Sequence, residues 1–143
     1  MTVRFLLDTS TISSPVAKAP NAGILRRLEA HAHECAIAAP VWHELSYGCE
    51  RMPAGKRREA IQVFLEQVVL RSFPVLPYDE ASAHWHGRER ARLERLGKPA
   101  PFVDGQIASI ARVNDLTLVT SNTKDFRAFK ELVVVNWSKE LRV

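Results

Sequence analysis

Short apolar runs alternate with amphipathic stretches along the whole chain. Val3 to Leu7 is a short apolar run that ends at an acid, the length and abrupt stop of a strand buried on both faces. Asp8-Thr9-Ser10-Thr11 then supplies helix-capping side chains, and Gly23 to His33 carries Ile24, Leu25 and Leu28 at helical spacing. Cys35 to Ala39 predicts a second strand, and Pro40 suits the first turn of a helix running through Val41, Leu45 and Gly48. From Ala54 to Leu70 the apolar positions Ala60, Ile61, Phe64, Leu65 and Val68 mark an amphipathic helix that follows the turn Met52-Pro53-Ala54-Gly55. Phe73 to Leu76 predicts a third strand. Asp79 to Leu96 predicts a long helix capped by Asp79 and stopped by Gly97, with Ala81, Trp85, Arg88, Arg92 and Leu96 along one line. After the loop Lys98-Pro99-Ala100-Pro101, a helix from Val103 to Val113 presents Ile107, Ala108, Ile110 and Ala111, and strands follow at Thr117 to Thr120 and Leu132 to Val135.

Five short strands separated by helices, with no Asn-Gly or Asp-Gly hairpin signal between strands, predict an α/β fold. The expected architecture is three-layer α/β/α on a mostly parallel five-stranded sheet, forming a single domain over 1–143. Right-handed crossovers put helices on both faces, and ligands then gather outside the carboxyl ends of the strands, where the strand order reverses.

The 143 residues, 46% hydrophobic and 25% charged, are enough for a core that needs neither disulfides nor a structural metal. Cys35 and Cys49 make no disulfide framework and no zinc quartet, so free, buried thiols are expected. No apolar run approaches the roughly 20 residues of a membrane span, and the amino terminus reaches Asp8 without a signal-peptide pattern, so a cytoplasmic protein is expected. A net charge of +4 is compatible with a polyanionic partner.

The chemistry collects at the predicted strand ends. Asp8 closes the first strand, and Ser121, Asn122 and Asp125 follow the fourth. Glu44 lies three residues after Val41 and four before Gly48, near the inward face of its helix, where a carboxylate needs a partner. Asp104 precedes Ile107 and Ala108 in the same way, and a place in the first turn, on the helix dipole, is its other explanation. If the sheet is wound as expected, Asp8, Glu44, Asp104 and the Asn122/Asp125 pair converge. Carboxylates crowded together are tolerated only if one is protonated or a cation sits among them. Oxygen-only ligands favour Mg²⁺ or Mn²⁺ over zinc, a setting suited to phosphodiester hydrolysis.

Four stretches in this order resemble the PIN domain, and within it the VapC-type toxin ribonucleases of toxin–antitoxin pairs. They are Leu6-Leu7-Asp8-Thr9-Ser10, Pro40 to Gly48 around Glu44, Phe102-Val103-Asp104-Gly105-Gln106-Ile107-Ala108, and Leu118 to Phe126. The resemblance implies metal-dependent endonucleolytic cleavage of RNA, tRNA or another structured RNA, leaving 5′-phosphate and 3′-hydroxyl ends. It implies Asp8, Glu44, Asp104, Asn122 and Asp125 as site residues, with Asp8, Asp104, Glu44 and Asp125 as ligands of Mg²⁺ or Mn²⁺, and Thr9 or Ser10 holding the first acid or its water. The fourth family acid is often Asp, where this chain has Asn122, with Asp125 three residues later. The resemblance further implies a homodimer, a small VapB-like antitoxin that fills the acidic groove, and operator DNA bound only through that antitoxin.

Setting aside Asp8, Glu44, Asp104 and Asp125 leaves 20 basic residues against 12 acidic ones, so a basic rim is expected, with Arg88, Arg92, Lys98 and Lys124 as candidates. The zinc-protease pattern is absent, because Tyr47 stands where His43-Glu44 would need its second His. His31/His33 and His84/His86 are i,i+2 pairs that diverge on a helix. No glycine-rich nucleotide-binding loop occurs. The alternative to an enzyme is a catalytically silent PIN-like module that binds nucleic acid or antitoxin. Trp42, Trp85 and Trp137 are expected to serve packing rather than base stacking.

Overall fold

The computed structural model describes residues 2–139. Five strands form one sheet: β1 (Phe5–Leu7), β2 (Cys35–Ala38), β3 (Val75–Leu76), β4 (Thr117–Val119) and β5 (Val134–Val135). Their order is β3-β2-β1-β4-β5 and every pairing is parallel. The helices are α1 (Thr9–Ile12), α2 (Ala22–Ala30), α3 (Ala39–Glu50), α4 (Lys56–Phe64), α5 (Leu70–Ser72), α6 (Glu80–Arg95) and α7 (Phe102–Val113). The expected three-layer α/β fold is what forms, and the reason lies in the strands themselves. All residues of β1 and β2 are buried, so both faces of the sheet centre must be covered by helices.

The edge strands are shorter than the sequence suggests. Pro74 and Pro77 flank β3, and proline gives no N–H to a ladder, so Phe73 and Pro74 stay outside the strand. β5 has a neighbour on one side only, and Leu132 and Val133 precede it as irregular chain. The stretch predicted as one helix over Ala54 to Leu70 is α4, a π-helical segment Leu65–Val69 and α5. The wider π turn shifts the inward face by one residue. Val69 is fully buried, whereas Val68, expected in the core, is 45% exposed.

The long helix α6 begins as expected: the Asp79 side chain accepts the Ser82 N–H. It ends with Gly97 at φ +70°, where Lys98 N–H donates to the Leu93 carbonyl and Gly97 N–H to that of Glu94, the pairing that closes a helix over a left-handed residue. Its packed line, however, is Ser82, His86, Glu89 and Leu93. The line Ala81, Trp85, Arg88, Arg92 and Leu96 is offset by one residue and faces outward, with Leu96 57% exposed. Three polar residues, Ser82, His86 and Glu89, therefore lie on the packed face of α6. His86 is buried, its ring nitrogen Nδ1 lies 2.8 Å from the Tyr78 hydroxyl, and burial lowers its pKa. Gly105 permits this approach, since a Cβ there would overlap the His86 ring.

Trp137 is buried with its ring centroid 5.0 Å from that of Phe5 and 5.4 Å from that of His31, while Trp85 packs on Phe129. Packing is thus the use of both. Cys35 and Cys49 are free and buried, and burial pushes the Cys35 thiol up to about 12, which keeps it inert at neutral pH. Among the described residues, no helix is long and apolar enough to cross a membrane.

Candidate active site

The strand order reverses at β1, whose connection leads to β2 on one side while β4 pairs on the other. Register then dictates who meets whom. Leu7 lies opposite Val119, so the next residues, Asp8 and Thr120, fall side by side at the carboxyl edge of the sheet. The Thr120 hydroxyl donates to Asp8 Oδ2 at 2.8 Å and accepts the Asn122 N–H at 3.1 Å. Asp8 is 8% exposed and Thr120 fully buried. Burial raises the Asp8 pKa above its ordinary value. The Thr120 hydroxyl and the Thr9 backbone work against that rise, and the charge of Asp125 adds to it.

Asp104 enters from the first turn of α7, placed there by Pro101 and Phe102 at the start of the helix. Its carboxyl is pushed up to about 6, first by burial and then by the charges of Asp8, Asp125 and Glu44. Glu44 projects from the second turn of α3 and is half-buried, with Oε2 accepting the Thr9 hydroxyl at 2.9 Å. Asp125 lies not in an α-helix but in the single 3₁₀ turn Thr123–Asp125, where its N–H donates to the Asn122 carbonyl. Asn122 and Asp125 are exposed at the mouth, and Asp125 still acts electrostatically on both Asp8 and Asp104.

Asp8, Glu44 and Asp125 thus all act on Asp104 across one end of the sheet, with Asn122 tied to Thr120, but the support of these residues differs from expectation. The Thr9 hydroxyl holds Glu44 while its backbone supports the first acid, and the Ser10 hydroxyl accepts the Ser121 N–H at 3.2 Å. The residue that holds Asp8 is Thr120, which sequence reasoning passed over. Its signal was a hydroxyl closing a buried apolar run, just as Asp8 closes its own. The expected basic rim is also redistributed. Arg92 is folded onto Glu89 and the Ala128 carbonyl, and it lines a separate cleft together with Arg88. Lys124 is exposed in the same 3₁₀ turn as Asp125.

Among the described residues, no three His, Cys, Asp or Glu side chains stand close enough together to hold an ion unaided. The donor set nevertheless fits a hard divalent cation. Its donors are oxygens, and Mg²⁺ in particular is bound through one or two carboxylates while it keeps several waters. The mutual repulsion at Asp104 is the electrostatic counterpart of that fit, since added positive charge would relieve it.

The family model described as PIN domain matches residues 5–132. A Shigella flexneri protein named tRNA(fMet)-specific endonuclease VapC is 33% identical over 136 residues, which cover 95% of this chain and 99% of that one. A chain in the structure of FitAB bound to an IR36 DNA fragment superposes with TM-score 0.88 at 28% identity, covering 96% of this chain and 98% of its own. A chain of DNA-bound VapBC from Salmonella typhimurium gives TM-score 0.83 at 29% identity, covering 94% and 98%. Motif order, sheet topology and full-length similarity agree: the chain belongs to the PIN domain family and, within it, to the VapC-type toxin ribonucleases of toxin–antitoxin systems.

Proposed function

We propose that this protein is a Mg²⁺- or Mn²⁺-dependent endoribonuclease toxin acting on tRNA or another structured RNA in the cytoplasm. The observation that carries the reading is the crowding of Asp8, Glu44 and Asp125 around Asp104, whose carboxyl they help push up to about 6. A surplus of negative charge in a crevice at the sheet switch point binds a phosphodiester only when cations are present. Asp8 and Asp104 are the central ligands, with Glu44 and Asp125 binding directly or through water. A divalent cation held by these residues would offset phosphate charge and acidify a water for attack on phosphorus. Thr120 fixes the Asp8 carboxylate, Thr9 fixes that of Glu44, and Asn122 orients water at the mouth. The similarity to chains of DNA-bound VapBC and FitAB supports a small antitoxin as partner, with operator DNA reached through it; the proposal includes a homodimer of this chain.

Cleavage of end-labelled total tRNA, with EDTA and Mn²⁺ arms and Asp8→Asn prepared in parallel, tests the reading. Discrete fragments that need metal and vanish in the variant are expected. Identical patterns from both proteins, or no cutting with metal present and antitoxin shown absent, would instead indicate a silent binding module.

A further inference from the structure

A second cleft, of about 530 Å³, opens between α6, the end of α7 and the chain leading into β5. None of Asp8, Glu44, Asp104 and Asp125 lines it. Its walls carry five cationic side chains, Arg88, Arg92, Arg95, Arg112 and Lys130, against two carboxylates, Glu89 and Glu131. Both carboxylates are already engaged. Glu89 pairs with Arg92, and Glu131 with Arg112 at 2.8 Å. Arg88, Arg95 and Lys130 have no ion-pair partner among the described residues. Arg112 also keeps a buried Nε without a hydrogen-bond partner among them.

Five cationic side chains against two carboxylates leave the lining with a net charge of +3. Their arrangement suits an extended anion. Trp85, Arg88, Arg92 and Arg95 follow at i, i+3, i+7 and i+10, one outward stripe of α6 about 15 Å long. That length is enough to run along several successive phosphates of a nucleic-acid backbone. Trp85, half-buried against Phe129, adds an aromatic wall. The opposite wall, Lys130 and Glu131, belongs to the segment that descends from Asp125, so the cleft is continuous in sequence with the mouth of the acidic crevice.

We infer that this cleft is an RNA exosite, which grips the phosphate backbone of a folded RNA away from the scissile bond and favours substrates large enough to reach both places. The inference rests on the ribonuclease reading, and its test separates the two.

Arg88 and Arg95 are the residues to change, because neither holds the fold through an ion pair. Fluorescence anisotropy would compare Asp8→Asn protein with the Asp8→Asn, Arg88→Ala, Arg95→Ala triple variant, on labelled bulk tRNA across a salt series. The variant is expected to bind about tenfold more weakly, with its log-affinity slope against log salt shallower by roughly 1.4–1.8, for two phosphate contacts. With Asp8 intact, Arg88→Ala/Arg95→Ala should raise KM for tRNA about tenfold and leave kcat in place. A thermal melt matching wild type would show that the variant is folded. An unchanged salt slope and KM, with tRNA still cut, would overturn the exosite and leave the nuclease standing. In a parallel arm with labelled duplex DNA, a loss of binding confined to the DNA would overturn it in favour of a DNA surface. Wild-type protein that cuts no RNA, yet binds it in a manner sensitive to Arg88 and Arg95, would support the cleft and overturn the nuclease reading.

Discussion

Two carboxylates on the packed helices α6 and α7 have opposite fates. Glu89 has a side chain only 7% exposed, yet it lies below its ordinary pKa because Arg92 donates to it and the Lys130 N–H reaches it at 2.7 Å. Asp104 is less buried, yet lies well above its ordinary value, since burial and three like charges act on it while no described residue donates to its side chain. Burial alone therefore does not decide whether an acid is costly; its partners do. The satisfied carboxylate ties a loop to a helix. The unsatisfied one sits where the proposed cation would relieve it.

Charge removal should break this contrast most sharply. Asp104→Asn is expected to lower metal-dependent RNA cleavage about 10³-fold, several kcal/mol of lost electrostatic assistance. It should also raise the melting temperature of the metal-free protein by roughly 2–4 °C, as like-charge repulsion is relieved. A loss of both activity and stability would put Asp104 with Glu89 as a structural acid. Thr120→Val removes the hydroxyl that holds Asp8 and should cost about 10–100-fold in cleavage, with the Mn²⁺ dependence shifted to higher concentration. Unchanged metal dependence would show that the contact is dispensable.

Glu89→Gln should invert the pattern, lowering the melting temperature by roughly 5 °C through weakened charge-assisted hydrogen bonds while kcat stays within about twofold. The same residue gives the smallest expected effect, on pH dependence. Its folded pKa is depressed below the ordinary value of 4.5, so its stabilisation is present above that pH and is lost as pH falls through the folded value. Acid titration followed by circular dichroism should show a flatter low-pH limb for Glu89→Gln than for wild type. Coincident limbs would remove Glu89 from the account.

Much of this arrangement was legible in the chain. Asp8 and Asp104 could be placed because each adjoins a strong local signal, a buried apolar run in one case and a helix start in the other. The α6 seam was misread by one residue, since Trp85 and Arg88 look like better neighbours for Ala81 than His86 and Glu89 do for Ser82. Only the partners from outside the helix, Tyr78 for His86 and Lys130 for Glu89, make the polar line the inner one. Thr120 escaped for a similar reason. Its role depends on a register between residues more than one hundred positions apart, which no local pattern encodes.

That separation has a consequence for how the toxin comes into being. β1 is the first strand to leave the ribosome, but it sits mid-sheet, and one of its two neighbours, β4, is among the last segments made. Until residues 117–120 emerge, Asp8 has no Thr120 beside it and Leu7 has no Val119. A nascent chain therefore carries its reactive acids unassembled through nearly all of its own translation. The site therefore comes together only when synthesis of the chain is all but finished, so the whole stretch from β1 to β4 must be made before its first strand has both neighbours.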